Sequence, residues 1–132
     1  FLVQQILLFF PDFFTNLFET SLEDGELVTA VKFPIPDKAA YAKFPNPASR
    51  YAIVGVMVAK TNGETRAAVT GASDTGVFRA TDIEKALGNN LDAAAAKTVK
   101  VAADGLNSDI HASAEYRAHL ISIMASRAAA AA

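Results

Sequence analysis

The chain has 132 residues, a net charge of −2 and no cysteine. That length suits one domain burying roughly two-thirds of its unfolded surface, with no need of a disulfide or metal staple. Acids and bases are scattered rather than clustered, which argues against nucleic acid as a partner. The lack of cysteine excludes disulfides and thiolate metal sites and fits a cytoplasmic setting.

Residues 1–10, FLVQQILLFF, are strongly apolar. Pro11 and Asp12 end the run short of the roughly 20 residues a membrane span needs, so no span is expected. No basic start or small-residue cleavage site marks a signal peptide. The expectation is a buried segment. Phe9, Phe10, Phe13, Phe14 and Phe18 crowd this lead, and such a patch wants a partner. Residues 1–18 are therefore expected to pack on the domain's own sheet or to drive self-association. A chain opening on Phe1 reads as part of something longer: residues 1–22 as a lead, residues 23–132 as the domain.

Asp24-Gly25 is a turn signal. Glu26–Phe33 then alternates as a strand, with Leu27, Thr29, Val31 and Phe33 on one face and Val28, Ala30 and Lys32 on the other. Pro34 and Pro36 stop it. Ala40–Phe44 reads as a second strand, followed by a PNPAS loop that two prolines keep from being helix or central strand. Tyr51–Lys60 is a third strand. Asn62-Gly63 is a strong hairpin signal before the return strand Thr65–Thr70. Four antiparallel strands thus precede the helices.

Thr81 with Glu84 fits a capping box opening a first helix that Gly88 closes. Leu91–Ala103 reads as a second, alanine-rich helix closed by Gly105. Ser113 or Asp109 caps a third, in which Tyr116, Leu120, Ile123 and Met124 form an apolar stripe. The terminal alanines read as a frayed end. Strands first and helices second predict an α+β fold: an antiparallel sheet of three or four strands with three helices packed on one face.

Little here spells catalysis. If both stood on one helix, His111 and His119 would lie about 12 Å apart along the axis, too far to share a metal. No G-x-S-x-G elbow, G-x-G-x-x-G or Walker loop occurs. Residues 70–76, TGASDTG, read either as an anion cradle or as a polar loop leaving a sheet. Lys43, before the rigid loop and between Tyr41 and Phe44, is either a directed cation or an ordinary surface lysine. Arg50 is either a tie across the loop or a surface charge. Asp109 and Glu115 suit the positive end of a helix.

Three stretches together carry a resemblance: DFFTNLFETSLEDGELVTAVKFP, YAKFPNPASRYAIVGV and SDIHASAEYRAHL. In this order and spacing they resemble the C-terminal domain of the FAD-binding medium subunit of molybdenum hydroxylases, the carbon monoxide and xanthine dehydrogenase family. The resemblance covers nearly the whole chain from Asp12 onward. It implies a small α+β domain that closes over the flavin, joined to an upstream FAD-binding domain. It also implies an iron–sulfur small subunit and a molybdenum large subunit as partners in the cytoplasm. Electrons would pass from the iron–sulfur clusters to FAD and on to an acceptor. By the resemblance, Val28 in GELV packs at the flavin and Lys43 in YxK lies near its pyrimidine edge. The glycine-rich loops that hold the FAD pyrophosphate lie upstream of the matched region, so this chain alone is expected neither to bind FAD tightly nor to be catalytic. Asn46 and Arg50 depart from the family, which often has an arginine and an aspartate there. The alternative reading is a binding or oligomerisation module of the same fold without flavin.

Overall fold

A computed structural model describes residues 13–16 and 19–132. The chain divides into two compact units, residues 1–33 and residues 34–132. In the first, β1 (Phe14–Asn16) pairs antiparallel with β2 (Glu19–Thr20). Phe13 and Phe14 meet edge to face, with ring centroids 5.0 Å apart. The expectations for residues 1–10, and for Phe9, Phe10 and Phe18, lie outside the described residues. Gly25 turns the chain with φ 87°, as Asp24-Gly25 predicts.

Glu26–Phe33 is not a strand; it forms no ladder among the described residues. Leu27, Val31 and Phe33 are 72%, 63% and 77% exposed. Alternation states which side chains could share a face, but a strand also requires a neighbour to take its N–H and C=O groups.

The second unit holds a four-stranded antiparallel sheet in the order β3 (Lys38–Pro45), β4 (Ala52–Thr61), β5 (Glu64–Thr70) and β6 (Phe78–Arg79). The fourth strand is thus the two-residue β6, and not Glu26–Phe33. Asn62 and Gly63 join β4 to β5 with φ 51° and 83°. Two successive positive φ values match the strand twist, which is why Asn-Gly stands there.

Directly opposed residues share a face, so the register sorts the sheet into two surfaces. Ala42, Phe44, Val54, Val56, Val58, Ala67 and Val69 form the inner one. Three helices cover it: α1 (Thr81–Leu87), α2 (Ala93–Thr98) and α3 (Ala114–Ala131). Ile83, Leu87, Ile121 and Met124 meet the valines in the core. Each such side chain, fully buried, stabilises the fold by roughly 1.5–3 kcal/mol. The expected α+β architecture is therefore the observed one.

The helix ends differ in detail from expectation. Thr81 lies inside α1, Ala80 is the N-cap, and no side chain caps it. Glu84 does not reach back. Its carboxylate accepts from the Ala67 amide at 3.0 Å and from the Arg79 guanidinium at 2.6 and 3.0 Å. A cationic fork and a part-buried strand amide are stronger claims on that carboxylate than a solvated helix end. The α2 helix is shorter than Leu91–Ala103. Asp92 caps it at Ala94 and Ala95, and it ends at Thr98. Val99 and Val101 instead pack on the core outside any helix, where β-branched residues lose less rotamer freedom. Ser113 caps α3, accepting from the Tyr116 amide. The terminal alanines are not frayed. α3 runs to Ala131, with Ala128 and Ala129 buried, because small residues let α2 and α3 approach closely.

Candidate functional site

The other face of the sheet is left open by the helices. Tyr41, Lys43, Gly55, Met57, Ala68 and Thr70 share it. Lys43 stands opposite Gly55, which stands opposite Thr70. Tyr41 lies down across that glycine, because its hydroxyl meets the Thr70 hydroxyl at 3.2 Å two strands away. A Cβ at Gly55 would collide with the Tyr41 hydroxyl and lie 2.6 Å from Thr70 Oγ1. A glycine inside a Val/Ile-rich strand signals such a close approach.

Lys43 is exposed on edge strand β3, two residues before the PNPAS loop begins at Pro45. Its ammonium donates to the Arg50 carbonyl at 3.0 Å. That carbonyl is presented by an unusual backbone, since Arg50 has φ 64°, a left-handed conformation costly for a side chain of this kind. The loop is closed from within. Buried Asn46 accepts from the Ala48 and Ser49 amides through Oδ1. Its own N–H donates to Tyr51 O at 2.7 Å, and its carbonyl accepts from the Arg50 N–H at 2.9 Å. Lys43 thus has a stem fixed by a strand and one ammonium donor used. Val28 belongs to the first unit and is half exposed.

A second cluster was not foreseen. Arg117 on α3 is 3% exposed. Its Nη1 donates to Ile53 O at 2.6 Å and Gly71 O at 3.1 Å, and its Nη2 donates to the Asp109 carboxylate at 2.8 Å. Its Nε is buried without a hydrogen-bond partner. A cleft of about 210 Å³ opens beside it, lined by Ser49, Tyr51, Asn107 and His111 among others. Main-chain N–H groups of His111 and Ala112, and then Arg117, hold the Asp109 carboxyl below the usual carboxylate range. An arginine one turn past a serine cap, flanked by apolar residues, was the available signal. It was hidden because Arg is ordinarily solvated.

Other candidates resolve as structure. Glu115 is held low by its own main-chain N–H and the Ser113 hydroxyl, as its place at a helix start implies. Asp109 serves the turn before α3 and Arg117, and caps nothing. In the 70–76 stretch, Ser73 Oγ accepts from the Thr75 amide and meets the Thr75 hydroxyl. That loop bonds to itself and to Leu106-Asn107, the behaviour of a polar turn. Among the described residues no three His, Asp or Glu side chains gather as a metal site, and no helix is long and apolar enough to cross a membrane.

No protein-family model, curated protein or solved structure matches this chain.

Proposed function

We propose that the chain is the C-terminal part of the FAD-containing subunit of a molybdenum hydroxylase, closing over the flavin. Its partners are then an upstream FAD-binding domain, an iron–sulfur subunit and a molybdenum subunit, in the cytoplasm. The observation that carries this reading is the position of Lys43, on the sheet face that no described helix covers, with its stem held by strand and loop. The residues present fit a flavin ring. Gly55, Ala68 and the recumbent Tyr41 keep the open face low, and an exposed lysine beside them offers a donor.

When bound, FAD takes electrons one or two at a time and passes them to an acceptor. This chain's contribution is charge and cover. Two Lys43 ammonium protons remain for the acceptor atoms of a pyrimidine edge, while the third stays on Arg50 O. Val28 is assigned to the flavin by the resemblance alone. A fixed positive charge favours a flavin edge that gains negative charge, and so raises its potential.

Lys43→Met keeps the length and removes the charge. One unit charge at about 4 Å, with an effective dielectric near 20, is worth at most about 4 kcal/mol, and less after solvent relaxes. The midpoint potential of the intact, FAD-loaded subunit is expected to fall. If potential and FAD affinity both stay unchanged, Lys43 is only a surface lysine and the reading loses its support. A second reading, an oligomerisation module without flavin, draws on the exposed apolar row at Leu27, Val31 and Phe33. The intact subunit purifying yellow favours the first reading, and colourless the second.

A further inference from the structure

Two features of this chain lack partners of the same kind. Glu26–Phe33 has the composition and alternation of a strand but lies in no ladder among the described residues. Its apolar residues stand in solvent, with Val28 49% and Phe33 77% exposed. Meanwhile β3, eight residues long, is a sheet edge among the described residues, with only its β4 side paired there. A long free edge presents a row of unsatisfied N–H and C=O groups and readily accepts an added strand.

We infer that Glu26–Phe33 of one copy adds antiparallel to the free edge of β3 in a second copy, making a strand-exchanged dimer. The two segments match in length and in pattern. Full overlap of eight residues on eight sets Leu27 opposite Phe44, Thr29 opposite Ala42 and Val31 opposite Ala40. Phe44 and Ala42 already pack on the helix-covered core, so Leu27, Thr29 and Val31 extend that covered face. The same register sets Val28 opposite Lys43 on the open face. The candidate site thereby draws one residue from each copy. The link between the segments is Pro34-Ile35-Pro36-Asp37. Asp37 is fastened at the start of β3: its N–H donates to Lys60 O at 2.8 Å, and its carboxylate accepts from the Asn62 amide at 2.9 Å. Two prolines with fixed φ stiffen what remains and resist a tight reversal. Short, stiff hinges favour exchange between copies over closure within one.

This inference does not rest on the flavin reading, and its test uses no flavin. The 132-residue chain is followed by light scattering over a wide concentration range, and a concentration-dependent dimer is expected. Thr29→Pro and Ala30→Pro are compared. Consecutive strand N–H groups point to opposite edges, so one of the two must remove a ladder donor. That variant should weaken the dimer by about tenfold or more. Both positions are exposed and outside the core, so the helical circular dichroism should not change. The chain has no cysteine, which makes cross-linking clean. V28C and K43C chains, mixed and oxidised, should form a mixed disulfide dimer. A monomer at every concentration overturns the inference. So does a dimer indifferent to both prolines, or a V28C/K43C chain that closes its disulfide within one molecule.

Discussion

Gly55 is the position where one methyl group tests the open face. Its missing side chain is the space that the Tyr41 phenol occupies on its way to Thr70. Gly55→Ala should destabilise the protein by about 1–3 kcal/mol through overpacking. Adding Tyr41→Ala should recover most of that loss in urea denaturation, because the obstacle is gone. Equal losses with and without Tyr41 would mean that the glycine answers to the backbone instead. Asp109 makes a different test. Its carboxyl is held below the usual range by the His111 and Ala112 amides and by Arg117. A depressed folded pKa gives stability that is fully present above the unfolded value of about 3.9 and is lost as pH falls through the folded value. The urea midpoint should therefore drop below about pH 4, and Asp109→Asn should flatten that acid limb. An unchanged limb would remove Asp109 from the acid transition. The place of Lys43, near a strand end before a loop, was legible because proline punctuation marks that loop. Arg117 and Asn46 were not, because burial of a polar residue depends on partners 46 and 64 residues away or on a loop's inner shape.

At the scale of elements, legibility followed locality. The β4–β5 hairpin was readable because its two turn residues carry their own conformational demand. The three sheet strands between Lys38 and Thr70 followed from alternation bounded by prolines and that turn. Glu26–Phe33 looked equally good and failed, since its pattern could not say where its hydrogen-bonding neighbour is. The Thr81 box failed by competition, with Arg79 and Ala67 taking Glu84. Of Ser113 and Asp109, Ser113 is the cap, because its oxygen accepts from the Tyr116 amide while its O–H remains to donate to Glu115. Ser113→Ala should therefore cost about 1 kcal/mol, read as a lower denaturant midpoint with an unchanged slope. A null effect would mean that Glu115 alone holds the start of α3.

For the whole second unit, helices seal one side of a four-stranded sheet, and no described helix covers the other. α3 does most of the sealing, against β3 and β4 and against α2. Its alanine tail is part of that seal. Ala128 is wholly buried, so Ala128→Leu should cost about 1–3 kcal/mol or more by forcing α3 outward. A variant as stable as the parent would show that the tail has slack. That strands precede helices was readable from pattern shifts, although the two-residue β6 was not. The closeness of α2 to α3 was not, because alanine runs look the same in a packed helix and in a loose end.

The long reach of Arg117 has a consequence for synthesis on the ribosome. Ile53 and Gly71 are made 64 and 46 residues before the guanidinium that ties their carbonyls. The hairpin between them is marginal by itself, and although α1 can reach its β5 side, most of its valine face waits for α3, which packs on β3 and β4. Through that interval the nascent chain displays Val54, Val56 and Val58 without the cover of α3. Such a surface is what a ribosome-associated chaperone would hold. Translation pausing before residue 114 would lengthen the exposure, whereas pausing after α3 emerges would not.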